Sequence, residues 1–383
     1  MSKVLLVDTN FSSAPLYQEL IALGHVVHVV GSNPNDCLAK LSPNYWEFDY
    51  SDTKALTSLI DRERYAFLVP GCTDRSYLAC VAVGKGRFPG LDSSDSCDTI
   101  FNKGRFRGLA ERLGLPGPRR LAADSLPAHW PVIVKPVDAF SGKGITVLQE
   151  GDALNFARAV SFARSMSPSH EHLVERYVEG QLFSHSAFLG GRKVIRDFVV
   201  REDSSVNPFV VDTSRVVTDA PTHLLRSLRR CVETLAGDLE LTDGLLHTQF
   251  IAKDDALWLI EMTRRCPGDL YSQLIELATG YPYCRSYLQP FLGLPLDREN
   301  LESAHTPIMR HTVTVPSAQD FSCLRFKMPL RIERWVPLAR TGDHLQPSPK
   351  GRIGVLFCRS DGESELERIY TATLKRDLYE VCQ

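Results

Sequence analysis

The sequence predicts an α/β protein in three parts: a parallel α/β domain at 1–98, a mixed α+β core at 99–300 and a β-rich C-terminal subdomain at 301–383. Strand-like and helix-like runs alternate through the N-terminal part, the pattern of a parallel sheet covered on both faces. From residue 130 onward, β-branched runs are joined by tight turns and separated by helical segments. Beyond about residue 300 the chain shortens into small strands before a last helix.

The elements follow in order. KVLLVD (3–8) reads as a buried strand, APLYQELIAL (14–23) as an amphipathic helix stopped by Gly24, and HVVHVV (25–30) as a second strand. After the polar stretch FDYSD come a helix near 53–61 and a third strand, YAFLVPG (65–71). The first turn, DTNFSS, has no glycine where a dinucleotide fingerprint needs close backbone approach, so a dinucleotide site is not expected. A helix with a basic face runs from 99 and stops at Gly114 and Pro116. A hairpin follows at 130–150, then a helix at 151–168, then two strands around a tight turn at Glu179-Gly180. In THLLRSLRRCVETLA (222–236), Leu224, Leu225, Leu228 and Val232 share one helical face. GLLHTQFIA and ALWLIEMTRR form a hairpin about KDD. HTVTVP, RIERWVPLA and GRIGVLFC are short strands, and 363–380 is the closing helix. No internal repeat is visible.

Composition narrows the function classes. The 383 residues are 43% hydrophobic and 23% charged, enough for two or three domains with sizeable cores. A net charge of −2 offers no long-range field for nucleic acid, so any anion must be met by a local pocket. The N-terminal apolar run is too short for a signal peptide, and no apolar stretch is long enough to span a membrane. Ten scattered cysteines, with no C-x-x-C pair, read as reduced thiols in a cytoplasmic protein.

The segment WPVIVKPVDAFSGKGITVLQE (130–150) carries the strongest chemical signal. A P-loop would need glycine at Val137 and a hydroxyl at Gly144, followed by a helix; all three requirements fail. The remaining design is a glycine-softened loop closing over phosphates, with Lys135 on the preceding strand. A lysine in VIVKPV is costly unless it meets an anion, the alternative being a side chain that snorkels from the strand end. Downstream, LVERYVEG offers a strand edge with Glu175 at its start. ALWLIE places Glu261 on a buried strand, with Arg265 four residues on. A carboxylate for magnesium and a guanidinium for phosphoryl charge are what phosphoryl transfer requires.

In their order, FNKGRFRGLAERLGLPGP, VKPVDAFSGKG, VERYVEG and IEMTRRCPGD make the chain resemble the ATP-grasp superfamily of carboxylate–amine (or thiol) ligases over nearly its whole length. The resemblance implies ATP and Mg2+ and an N-terminal α/β domain before an ATP-grasp core, whose small lid lobe lies at about 125–185. It implies that Lys103 and Lys135 contact phosphates, that Ser141, Gly142, Lys143 and Gly144 form the closing loop, and that Glu175 with the Tyr177–Val178 backbone meets adenine. Glu261 would bridge magnesium, and Arg265 would stabilise the transferred phosphoryl group.

Three positions depart from the family pattern. Gln249 stands where an acidic metal ligand is usual, Thr263 where asparagine is usual, and Leu182 where a ribose-binding glutamate is usual. Gln249 and Thr263 remain candidate metal ligands through neutral oxygens, so weaker or single-metal binding is expected. His185 or the backbone would hold the ribose. The implied reaction joins a small-molecule carboxylate to an amine through an acyl phosphate. Amino acids are candidate substrates and a homodimer is a candidate assembly; neither nucleic acid nor membrane is an expected partner. A nucleotide-binding protein that has lost turnover and an ATP-grasp phosphotransferase are the rival readings. Arg215 and Arg310 are candidate carboxylate anchors. Cys72 reads as a core thiol and His247 and His311 as structural histidines; Asp269 either faces the substrate or caps the helix 270–279, the cap being the preferred reading.

Overall fold

A computed structural model describes residues 1–84, 86–123, 126–139, 142–297 and 305–383. The N-terminal unit is a four-stranded parallel sheet built from β1 (Lys3–Val7), β2 (Val26–Gly31), β3 (Tyr45–Glu47) and β4 (Phe67–Pro70), in the order β3-β2-β1-β4. Helices α1 (Ala14–Ala22), α2 (Cys37–Leu41), α3 (Thr53–Glu63) and α4 (Asp74–Gly84) accompany it. The strand expected as third is the fourth. Tyr45–Glu47 pairs beside β2, and three residues are too few to show a period. Helix α4 escaped the sequence because DRSYLACVAVG is buried on most sides and shows little amphipathic contrast.

The helix expected from residue 99 is two, α5 (Ser94–Phe101) and α6 (Lys103–Arg112). Asn102 separates them: its extended backbone ends the first, and its side chain accepts the Arg105 N–H to cap the second. Lys103 therefore stands at the start of a helix, its own N–H donating to the Val137 carbonyl.

A small lobe holds the opening hairpin. β5 (Val132–Pro136) lies between β6 (Thr146–Leu148) and β7 (His172–Arg176), all antiparallel, with α7 (Phe156–Met166) across one face. Val132, Val134, Leu148, Phe156 and Val174 form its apolar core. The two strands expected around Glu179-Gly180 do not pair with each other. β7 stays in the small lobe, while β8 (Gln181–Gly190) enters the large sheet, so Tyr177–Gly180 is the passage between lobes. Gly180 is required there, since a Cβ would lie 2.6 Å from the Ala252 carbonyl oxygen.

The large sheet continues with β9 (Lys193–Asp203) and β10 (Thr213–Val217), and after α8 (Thr222–Asp238) with β11 (Gly244–Lys253) and β12 (Ala256–Thr263). Two short helices, α9 (Tyr271–Thr279) and α10 (Tyr283–Leu288), precede β13 (Ile308–Thr314). Then come β14 (Gln319–Asp320), β15 (Cys323–Phe326), β16 (Arg331–Pro337), β17 (His344–Leu345), β18 (Arg352–Arg359), α11 (Glu363–Leu374) and β19 (Tyr379–Cys382). The sheet order is β12-β11-β8-β9-β10-β13-β18-β16. Strands on both sides of residue 300 thus share one sheet; residues 298–304 themselves lie outside the described residues. The closing helix ends at Leu374, because Arg376 turns to a positive φ and the chain leaves as β19. Leu224, Leu228, Val232 and Leu235 of α8 are buried in the main core, each worth about 1.5–3 kcal/mol of removed apolar surface. Among the described residues no helix is long and apolar enough to cross a membrane.

Candidate active site

A cavity of ≈ 480 Å³ lies between the small lobe and the face of the large sheet. Alternation along β5 sends Val132 and Val134 into the small core and Ile133 and Lys135 toward this cavity. Lys135 does meet an anion, but one supplied by the protein. Its Nζ lies 2.6 Å from Glu175 on the neighbouring strand β7, and both are buried. Arg107 of α6 completes the group, with Nε on Glu175 and the guanidinium donating to the carbonyls of Leu259 (2.6 Å) and Ile260 (3.1 Å) on β12. One buried arginine thereby ties a helix, the small lobe and the large sheet together. Burial alone would push the Glu175 carboxyl up, but Lys135 and Arg107 hold it below the usual range. Burial pulls Lys135 down, and Glu175 offsets only part of that.

The second charged group opens onto the cavity from the large sheet. Glu261 lies directly across from Gln249 in the β11–β12 hairpin. Its side chain is 41% exposed, and Lys103 Nζ lies 3.2 Å away, also donating to the Ala139 carbonyl. Lys103 is the main reason the Glu261 carboxyl is held below its ordinary range, against burial and with help from Lys135 and Arg265. Gln249 Nε2 donates to Glu202 of β9 at 2.7 Å. Glu202 is a buried carboxylate that the motif pattern did not single out; it and Leu182 both line the cavity. Burial pushes the Glu202 carboxyl up, opposed by Ser184 and Gln249.

Arg265 is held from the N-terminal unit. Its Nε and Nη2 contact the two oxygens of Asp74, at the start of α4, at 2.9 and 3.3 Å. Thr263 Oγ1 donates to the same carboxylate at 2.9 Å. Burial works against the Arg265 charge, but Asp74 outweighs it and raises the pKa further. Asp269 is not an N-cap. Leu270 holds that position, and Asp269 accepts from Arg352 at 2.7 Å through its side chain and from Arg310 at 2.8 Å through its carbonyl. Arg310 is buried, reaches Ser214 at 2.9 Å and lines the cavity.

Most of the expected residues converge: Lys103, Lys135, Gly142, Lys143, Glu175, Tyr177, Val178, Gln249, Glu261, Thr263 and Arg265 all line the cavity. Gly144 takes φ +75° and would drive a Cβ to 2.8 Å from Met166 Cβ, while a Cβ on Gly142 (φ +68°) would meet the Phe209 carbonyl at 2.6 Å. These glycines are demanded by close packing as well as by their positive φ. Ser141 lies outside the described residues. Two expectations are corrected. His185 points to the other face of β8, bonded to Asp197 at 3.0 Å, because an odd step from Leu182 reverses the side-chain direction. Arg215, beside Ser214 on β10, likewise turns away and pairs with Glu363 and Glu367. Glu175 lines the cavity with its carboxylate paired to Lys135 and Arg107. The Tyr177 N–H donates to the Pro131 carbonyl, so the Tyr177–Val178 segment offers its other backbone groups to the cavity.

The histidines and Cys72 behave as expected. His247 bonds Ser186, and burial first, then Arg265, pulls its pKa down to about 3. His311 lies between Thr213 and Tyr379, with its pKa lowered to about 4, chiefly by burial. Cys72 is buried with its thiol on the Ser12 carbonyl.

Residues 128–273 match the ATP-grasp domain family. Over 217 residues the chain is 25% identical to the carbamoyl phosphate synthase large chain of Mycobacterium sp. (strain JLS), a match that takes in 52% of this chain and 19% of that protein. The chain thus spans about a fifth of the length of such relatives. In fold it is similar to the L-amino acid ligase of Bacillus licheniformis, with a TM-score of 0.78 and 17% identity over 100% of this chain and 99% of that one. It is also similar to the biotin carboxylase domain of Hydrogenobacter thermophilus 2-oxoglutarate carboxylase, solved with magnesium ADP and bicarbonate. There the TM-score is 0.74 and the identity 16%, over 100% and 90% of the two chains. An ATP-grasp domain thus accounts for residues 128–273, and the lobes that enclose the cavity share the fold of these two enzymes.

Proposed function

We propose that this protein is an ATP- and magnesium-dependent ligase that joins a carboxylate to an amine through an acyl phosphate, releasing ADP and phosphate. The observation that carries the reading is the convergence of two lysines, Glu261 and Arg265 on one cavity beneath a glycine loop. Lys103 and Lys135 would face the phosphates, and Gly142 to Gly144 would cover them. Val178, with the carbonyls beside it, would meet the base edge. Backbone would hold the ribose, since Leu182 is apolar and His185 points elsewhere.

Among the described residues, no group of three or more His, Cys, Asp or Glu is arranged to hold a metal alone. Glu261, open to the cavity and already beside a cation, fits a magnesium that arrives with nucleotide oxygens, with Gln249 and Thr263 as neutral partners. Such an ion would neutralise phosphate charge. The substrate carboxylate attacks the γ-phosphorus, ADP leaves, and the amine then attacks the carbonyl carbon and expels phosphate. Arg265, aligned by Asp74, stabilises the phosphoryl group in transit. Arg310 is the candidate anchor for a substrate carboxylate, amino acids being the first class to try. The neutral side chains at 249 and 263 favour, as a second reading, a protein that binds nucleotide without turnover.

Oxygen-18 in the substrate carboxylate decides between them. A panel of acids and amines, read by ADP formation, identifies the pair. The released phosphate should then carry one label and the amide should keep one. Unlabelled phosphate beside genuine amide would refute the acyl phosphate. A stable phosphorylated product without need of an amine would indicate a phosphotransferase, and no phosphate with any pair would indicate the binding-only protein.

A further inference from the structure

Glu202 has no counterpart in the motifs that suggested the site, yet it is buried in the cavity wall and bonded to the most discordant of them. Gln249 Nε2 donates to Glu202 Oε2 at 2.7 Å. The contact spans two strand boundaries, because β8 lies between β11 and β9. Its place is set from both sides. Glu202 pairs with Ser214 on the adjacent strand β10, and its carbonyl accepts from Gln181 Nε2 at 3.0 Å. An amide has two unlike ends, and only its oxygen can ligate a hard cation. With the nitrogen committed to Glu202, the oxygen is the end of the Gln249 amide left for the cavity.

We infer that Glu202 is a positioning residue for the metal site: it orients Gln249 so that Oε1 faces the cation, and it returns to the sheet the negative charge that Gln249 lacks. The inference rests on the proposed magnesium site. Outer partners of this kind typically change metal affinity about 10–100-fold when removed. A partner that merely satisfied a buried carboxylate would change stability and leave metal-dependent binding unmoved.

The test is calorimetric titration of the full chain with ADP, once with magnesium and once with EDTA. In Glu202→Gln the amide pair no longer has a preferred direction. Magnesium-dependent tightening of ADP should fall about tenfold, while the affinity in EDTA stays as in wild type. The double variant Glu202→Gln/Gln249→Glu reverses the pair with the same heavy-atom count. Gln at 202 can then donate to Glu at 249, and tightening should return at least to the wild-type value. Full magnesium-dependent tightening in Glu202→Gln, or a double variant no better than the single, overturns the assignment. Should Glu202→Gln fold poorly, the double variant alone carries the test, since its pair is hydrogen-bonded again. Glu261→Gln separates the two levels. If it too tightens normally with magnesium, the metal-site reading falls; if it loses tightening while Glu202→Gln keeps it, only the role of Glu202 falls.

Discussion

The two charged groups that flank the cavity differ in how they treat their charge. The Lys135–Glu175–Arg107 group is almost fully buried, and its cations already have an anion and two carbonyls to satisfy them. The Glu261–Gln249–Glu202 row lies along a sheet face, and its leading carboxylate is 41% exposed to the cavity. Desolvated charge is costly to leave unpaired, whereas a half-open carboxylate can exchange a lysine for an arriving cation at little structural cost. Within the first group, Arg107 and Glu175 should therefore govern folding and lobe placement while Lys135 also faces the cavity, and the second group should govern metal-dependent chemistry.

Removing Arg107 is the harshest way to test that division. Arg107→Ala leaves Glu175 short of a cation and uncouples α6 from β12, so urea unfolding should show a loss of about 3–5 kcal/mol. A loss under 1 kcal/mol would show that the group is not a structural lock. Glu261→Gln should do the reverse. Turnover should fall about 10²–10³-fold while the melting temperature stays within a few degrees, and substantial unfolding would erase the contrast.

Gly144→Ala sharpens the comparison at the loop between the two groups. The positive φ alone costs about 1–2 kcal/mol, and the added Cβ presses on Met166. Both stability and turnover should fall; a neutral variant would mean that the loop spends its time elsewhere. The smallest effect expected is that of acid. His247 and His311 have folded pKa values lowered to about 3 and about 4, below the ordinary histidine value near 6.5. The unfolded chain takes up these protons first. Their contribution is thus complete above about pH 6.5 and is lost as pH falls toward 4, at about 1 kcal/mol per histidine by pH 5.5. Melting temperature against pH should slope accordingly, and His247→Gln should flatten it; an unchanged slope would exclude His247 as a source.

The sequence by itself was informative wherever structure and chemistry are local. The glycine loop after a strand lysine, the hairpin that presents Glu261, and Arg265 four residues on are contiguous patterns, and each reaches the cavity. Parity along β8 was also legible, and applied to His185 it would have removed that residue from the ribose site. What only the tertiary structure decided is pairing at a distance. Arg107 meets Glu175 across 68 positions, Gln249 meets Glu202 across 47, and Asp74 meets Arg265 across 191. These contacts depend on strand order and on how the N-terminal unit docks. A buried charge accepts any partner that the fold brings within hydrogen-bond reach, so no local spacing names that partner in advance.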